Sequence, residues 1–389
     1  MNFKYYIPTK ILFGRGQLAN LHKEKLPGTR ALIVTTGGRS VVDNGYLART
    51  EEELKAAGCT FVLFNKITAN PDRSEVMDGA ALAKAENCDF IVGLGGGSPI
   101  DAAKAIAVMA TNPGDYWDYM VRGTGGGRPV SVTPLPVVAI TTTAGTGTEA
   151  DPWTVISNAA TGEKFGFGID GTFPVLAVVA PELMLTVPRD YTVFQGFDAL
   201  FHSLEGYLAN IATPISDIFA LKAVSLIAEN LPAAVFDGGD IAARENMALA
   251  NTLSGMVEST SGCISEHALE HILSGVYKNL PHGAGLIMLS VAYFSKIAEK
   301  HTSDDRLVEL AKALGNKNAK TPEDFIAALQ KLQQACGADK LKMSDYGIEK
   351  ERLREFAAAA KTQNALSFRL DPCDLSIADC AEIYERSYR

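Results

Sequence analysis

The sequence predicts an α/β protein in two parts: an N-terminal Rossmann-like parallel-sheet domain, residues 1–187, and a C-terminal all-helical domain, residues 188–389. Three observations predict it. Short apolar runs alternate with helical patterns through the first half. Strand signals stop near Val187–Asp190. A glycine-rich loop follows one of the strands directly.

The strands come first. Ala31–Thr35, Thr60–Phe64, Phe90–Leu94, Pro136–Thr141 and Leu176–Ala180 are β-branched and apolar nearly throughout. Strands without polar alternation belong where both faces of a parallel sheet are covered. Helical patterns at Val41–Ala57 and Ser74–Glu86 lie between them, giving βαβ units. Ahead of these, YYIPTKILFGRG reads as a strand pair ending in a glycine turn. In the second half, Tyr191–Asn210, Ile215–Glu229, Ile241–Ser259, His267–Tyr277, Ala284–Lys300, Asp304–Leu314, Pro322–Ala335, Lys350–Lys361 and Ile377–Arg386 carry helical periodicity. Pro214, Gly238, Gly239, Pro281, Gly315, Gly347 and Pro372 separate them.

Composition limits the partners. Hydrophobic residues are 47% and charged residues 21%, which describes an ordinary globular chain. A net charge of −9 with no basic block argues against nucleic acid and anionic membrane surfaces. No apolar run is read as approaching the roughly 20 residues of a membrane helix, and MNFKYYIPTK lacks the apolar core of a signal peptide. Six scattered cysteines with no CxxC read as reduced thiols, so a cytoplasmic location is expected.

Two loops carry the cofactor signal. In GLGGGSPIDAAKAIA, Gly93–Ala107, the spacing predicts Ser98 as N-cap, Pro99 in the first turn and Asp101 completing a capping box. The preceding glycines let bare amides and a helix N-terminus approach an anion, most often phosphate. A second loop, TTTAGTGTE, Thr141–Glu149, follows another strand and is dense in hydroxyls and glycines. Two such loops after parallel strands favour a dinucleotide; a pair of tight turns with locally bonded hydroxyls is the plainer reading.

The metal signal lies between Asp198 and His282, which enclose four of the six histidines. Asp198 and His202 are four apart, as are His267 and His271, and positions i and i+4 share a helix face. An aspartate with two or three imidazoles suits a divalent transition metal such as Fe²⁺ or Zn²⁺. One HxxxH alone is more often an ordinary buried or solvated pair; two paired segments favour the metal.

Together GGGSPIDAAKAIA, TTTAGTGTE, DALFHSLEGY and HALEHILSGVYKNLPHGAG resemble the iron-containing (group III) alcohol dehydrogenases, and PTKILFGRGQL resembles that family's N-terminal strand pair. The likeness runs over essentially the whole chain. It implies the dehydroquinate synthase-like architecture of that family, with NAD(P) on the α/β domain, metal on the helical domain and substrate between them. It further implies Asp198, His202, His267 and His282 as metal ligands and His271 as a catalytic non-ligand histidine near the nicotinamide. Gly95, Gly96, Gly97, Ser98 and Asp101 are the implied cofactor contacts, joined by Thr142, Thr143, Thr146 and Lys164. A homodimer is the family's usual assembly. Three features depart from the pattern: one extra residue between His271 and His282, Asp371-Pro372-Cys373 where many members have Asn-Pro-Arg, and Trp153 where several carry a smaller polar residue.

NAD-preferring members tend to end the first strand with an aspartate facing the ribose hydroxyls. Here Thr36 is followed by Gly37, Gly38, Arg39 and Ser40, with no acid before Asp43. Glycine amides, a hydroxyl and a guanidinium suit a 2′-phosphate, so NADP(H) is expected over NAD(H). Glu205 is read as either orienting His202 or facing solvent. The expected reaction is hydride transfer between the nicotinamide and a small primary alcohol or aldehyde. A polyol (glycerol-type) dehydrogenase and a dehydroquinate synthase-like lyase are the alternatives, and the aromatic and apolar residues Trp153, Phe165, Phe167 and Tyr277 speak against a phosphorylated sugar acid.

Overall fold

The computed structural model describes residues 2–389, and they form two compact units, Tyr6–Thr186 and Val187–Arg389, the latter including residues 2–5.

The first unit holds a six-stranded sheet of β1 (Lys10–Phe13), β2 (Arg30–Thr36), β3 (Thr60–Ile67), β4 (Phe90–Gly95), β5 (Val137–Thr141) and β8 (Leu176–Val179). Its order is β1-β8-β5-β4-β2-β3 and every pairing is parallel. The apolar runs are explained by cover on both faces: Ile91 and Val137 face one core cluster, Val92 and Val138 the other. The N-terminal strand pair must be corrected. Only Lys10–Phe13 is a strand, and it lies parallel to β8 at the sheet edge. Gly14 and Gly16 do form the turn behind it, with φ of +127° and +75°. A separate antiparallel hairpin, β6 (Thr154–Asn158) with β7 (Glu163–Phe167), was not foreseen.

Four helices complete this unit: α1 (Ser40–Asp43), α2 (Tyr46–Ala56), α3 (Arg73–Ala85) and α4 (Gly97–Thr111). The predicted Val41–Ala57 helix is two helices, because Gly45 between them takes a left-handed φ of +70°. Helix α3 starts where Asp72 caps it, with Glu75 closing the capping box.

The second unit is helical. It runs through α5 (Arg189–Leu208), α6 (Pro214–Phe236), α7 (Ile241–Ser261), α8 (Ser265–Val276), α9 (His282–Glu299), α10 (Asp304–Ala313), α11 (Pro322–Cys336), α12 (Leu353–Gln363), α13 (Ala365–Leu370) and α14 (Ile377–Ser387). The reading of membrane-length runs needs correcting at α6, whose 23 residues are long and apolar enough by length and composition. Its Ala220, Val224, Ile227 and Leu231 are fully buried, and Leu231 lies so tightly on Gly196 of α5 that a Cβ there would meet it at 2.3 Å. A buried face explains the composition of α6 as a core helix.

Candidate functional site

In the α/β unit, three loops leave the carboxyl ends of adjacent strands. Gly37–Ser40 follows β2, Gly95–Ser98 follows β4, and Thr142–Thr146 follows β5. The chain passes from β2 to β3 on one side and from β4 to β5 on the other, so the order reverses between β2 and β4. That reversal is where open α/β sheets bind dinucleotides. The glycine and threonine loops touch: a Cβ on Gly96 would meet Thr143 at 3.0 Å, and one on Gly97 would meet Thr146 Cγ2 at 2.5 Å. Gly95 adopts φ +142°, beyond the reach of most L side chains. The loops therefore present backbone amides at the N-terminus of α4, a fifteen-residue helix, where a diphosphate fits.

The capping box is not formed. Gly96 occupies the N-cap of α4 with no side-chain cap, and Ser98 lies inside the helix. Asp101 is instead drawn away from the helix end. It accepts from the Thr148 hydroxyl at 2.6 Å and the Val155 N–H at 2.9 Å, which ties the threonine loop and β6 to α4. Burial raises the Asp101 carboxyl, and Lys104 and Lys164 pull against that rise. Lys104, fully buried, donates to Thr148, Asp151 and the carbonyl of Trp153. Lys164 is buried on β7. Thr142 donates its N–H to the Gly95 carbonyl, and the Thr141 hydroxyl to the Thr143 carbonyl. Gly37 donates to Ile67, Ser40 opens α1, and Arg39 is largely exposed with an ion pair to Asp43 at 3.1 Å.

In the helical unit, Asp198 and His202 stand one turn apart on α5, His267 is on α8, and His282 opens α9. Asp198 Oδ1 lies 3.6 Å from Nε2 of each of His202, His267 and His282. These contacts are too long for hydrogen bonds. A tetrahedral cation with bonds of about 2.0–2.2 Å would space neighbouring ligand atoms by ~3.3–3.6 Å, which is this separation. Asp198 Oδ1 and His267 Nε2 are buried without a hydrogen-bond partner. Buried polar atoms do not persist unsatisfied without a reason, and a divalent cation on these four residues supplies one. The residues fit a metal.

Carboxylates hold the imidazoles from behind. Glu205 bonds Nδ1 of His267, and Glu270 bonds Nδ1 of His282; both acids are fully buried. Such a contact fixes the tautomer and points the Nε2 lone pair at the centre. Glu205 thus orients His267, not His202, and faces no solvent. Its other oxygen accepts the Ile264 N–H at 2.8 Å. Glu258 of α7 stands 3.7 Å from Nε2 of His202. Burial would raise the Asp198 carboxyl, yet the three surrounding histidines hold it well below the usual carboxylate range. Burial opposes charge on His267, but Cys263, Glu205 and Asp198 raise it well above the ordinary imidazole value. The pocket demands positive charge.

His271 lies beside the centre, its ring 5.2 Å from that of His282 and 6.2 Å from that of His267. It also forms a cluster of possible ligands with Glu270 and His282. Sequence reading missed Glu270, Glu258, Cys263 and the buried Glu266. The only signal was their spacing: Glu266 and Glu270 sit four apart on the face that the apolar stripe of α8 also occupies.

Residues 8–181 match the family model of iron-containing alcohol dehydrogenases, and residues 192–388 match the C-terminal model of the Fe-containing alcohol dehydrogenase family. The chain is 33% identical over 376 residues to a 1,3-propanediol dehydrogenase of Klebsiella pneumoniae, covering 94% of both chains. It is 35% identical over 365 residues to an NAD-dependent methanol dehydrogenase of Bacillus methanolicus, covering 92% of each. Among solved structures, an archaeal halo-thermophilic alcohol dehydrogenase from a Red Sea brine pool superposes with a TM-score of 0.94 at 33% identity, over 100% of this chain and 99% of that one.

Proposed function

The chain belongs to the iron-containing alcohol dehydrogenase family, and on that premise we propose a metal-dependent aldehyde reductase and alcohol dehydrogenase that prefers NADP(H). Its substrate is a small primary alcohol or the matching aldehyde. The observation that carries the metal dependence is the convergence of three Nε2 atoms on one buried, unpartnered carboxylate oxygen. Asp198, His202, His267 and His282 are the ligands, with Fe²⁺ first and Zn²⁺ as the substitute. When bound, such a cation supplies Lewis-acid stabilisation of the negative charge that develops on the substrate oxygen.

The chain's own residues supply the rest. Glu205 and Glu270 accept from the Nδ1–H groups of His267 and His282, which keeps both Nε2 lone pairs turned to the centre. The amides at the start of α4, with Thr142, Thr143 and Thr146, hold the diphosphate of the cofactor. Arg39, Ser40 and the Gly37 and Gly38 amides receive the 2′-phosphate; the absence of an acid from Thr36 to Ser40 supports this choice. His271, whose ring stands beside those of His267 and His282, carries a proton to or from the substrate oxygen. We place the enzyme in the cytoplasm, as a homodimer, on the strength of its six free cysteines and its family.

The test is anaerobic. Protein loaded with Fe²⁺ is given short aldehydes with NADPH or NADH, and loss of reduced nicotinamide absorbance is followed. Faster oxidation of NADPH is expected. Faster oxidation of NADH refutes the cofactor preference alone, and no oxidation by metal-loaded protein refutes the reading. His271→Ala should lower turnover while retaining metal; complete metal loss in a folded variant would make His271 a ligand instead.

A further inference from the structure

One group of possible ligands around the centre includes a residue outside the set assigned above. Cys263 Sγ, His202 and His267 place their ligand atoms within 4.8 Å of one another. The thiol is held there by its backbone. Helix α7 ends at Ser261, and Gly262 takes φ +71° to reverse the chain. One residue beyond Cys263, the Ile264 N–H donates to Glu205 at 2.8 Å, and at the first residue of α8 the Ser265 N–H donates to Asp371 at 2.9 Å. A three-residue link, Gly262–Ile264, pinned to two buried carboxylates leaves Cys263 little freedom to turn elsewhere. His267, one of the two imidazoles grouped with it, is 5% exposed, and its Nε2 has no hydrogen-bond partner.

We propose that Cys263 is a metal ligand, and that a thiophilic cation such as Zn²⁺ is held by its thiolate together with His202 and His267. The inference rests on the metal-dependent reading above. As the Sγ–metal bond forms, the thiol proton passes to solvent, so no oxidant or reductant is needed. Bonds of about 2.3 Å to sulfur and 2.0–2.1 Å to nitrogen set these atoms ~3.3–3.6 Å apart, so closure from within 4.8 Å asks for a contraction of about 1.5 Å at most. His202 and His267 are shared between two arrangements, one completed by Asp198 and His282, the other by Cys263. Soft sulfur favours Zn²⁺, while the carboxylate and imidazole set accepts Fe²⁺ as well. Cys263 therefore biases this chain toward zinc.

The test uses the full chain, stripped and reloaded with one equivalent of Co²⁺, a spectroscopic substitute for Zn²⁺. The unaltered protein is expected to show visible ligand-field bands and a near-ultraviolet thiolate-to-cobalt charge-transfer band. Cys263→Ser should lose the near-ultraviolet band and keep the visible ones, while Cys373→Ser keeps both. In anaerobic competition, the preference for Zn²⁺ over Fe²⁺ should fall roughly ten-fold in Cys263→Ser. Visible bands without the charge-transfer band in the unaltered protein would overturn the proposal while leaving metal dependence standing, and needs no variant to fold. A charge-transfer band that survives Cys263→Ser overturns it as well. Failure of the unaltered protein to retain Co²⁺ at all overturns both readings.

Discussion

The two units build their sites from different parts of the chain. In Tyr6–Thr186 the candidate site is backbone: Gly95, Gly96 and Gly97 carry no side chain where a Cβ would meet Pro99, Thr143 or Thr146. In Val187–Arg389 it is side chain: one aspartate, three imidazoles and the glutamates behind them. The backbone site rests on filled bonds before any ligand arrives, with Asp101, Lys104 and Thr148 all paired. The side-chain site does not, since Asp198 Oδ1, His267 Nε2 and both oxygens of Glu266 lack partners. A glycine loop should thus be intolerant of added atoms and indifferent to its ligand for folding. The metal centre should tolerate lost atoms in its fold and lose its ligand.

The largest effect tests that independence. His267→Ala removes one corner of the ligand set and frees Glu205. Metal content should fall to background and turnover by more than about 10²-fold, while NADPH affinity, read by nucleotide fluorescence, stays within about two-fold. Loss of cofactor binding as well would mean that the two sites are not separable.

A smaller loss is expected behind the ligands. Glu205→Gln keeps the shape and the Ile264 contact but weakens the charge on Nδ1 of His267. Metal affinity should drop about 10- to 100-fold, measured by competition with a chelator. An unchanged affinity would show that Glu205 serves the α7–α8 link rather than the imidazole.

The glycine loop gives the opposite signature. Gly97→Ala brings a methyl within 2.5 Å of Thr146 Cγ2, and overpacking of this kind costs about 1–3 kcal/mol. NADPH affinity should fall on the order of ten-fold with full metal content. Adding Thr146→Ser deletes the colliding methyl and should restore most of the loss. Absence of rescue would place the damage in the α4 backbone.

This contrast also sets what the sequence discloses. The converging aspartate and histidines, the proposed ligands, are legible because histidine is scarce and its i, i+4 spacing survives in one dimension. The strands β2, β4, β5 and β8 are legible because burial on both faces leaves their central residues apolar, with polar residues only at the ends of β2 and β5. Hairpin β6–β7 hides because Thr154, Ser157, Asn158 and Lys164 are polar yet buried, Thr154 against the Tyr116 hydroxyl 38 residues back in the chain. The Ser98 capping box fails for a related reason: Asp101 finds Thr148 and Val155, 47 and 54 residues on, better partners than its own helix end. Glu205 and Glu270 look like solvated helix positions until packing places an imidazole beside each. What local pattern encodes can be read; what a distant partner decides cannot.

The smallest effect separates a metal-serving acid from one that is only buried. Asp371 is 5% exposed, and Oδ1 accepts from the Ser265 N–H and the Tyr293 hydroxyl while Oδ2 has no partner. Burial pushes its carboxyl up to about 7. The folded value lies above the unfolded one, so the native chain keeps a proton that the unfolded chain releases. Stability from this group is therefore greatest at low pH and falls as pH rises from about 4 through about 7. The loss is at most about 4 kcal/mol. Asp371→Asn keeps the acceptor and removes the charge, and the family resemblance points to asparagine at this position. In metal-free protein, urea unfolding followed by circular dichroism should show the variant about 1–3 kcal/mol more stable at pH 8. The advantage should shrink toward zero at pH 5. Asp198, whose carboxyl is held low by three histidines, cannot behave this way: removing its charge strands those histidines instead. Equal pH dependence in Asp371→Asn and the unaltered chain would place the Asp371 charge in the same ionic network as the metal ligands and erase the distinction.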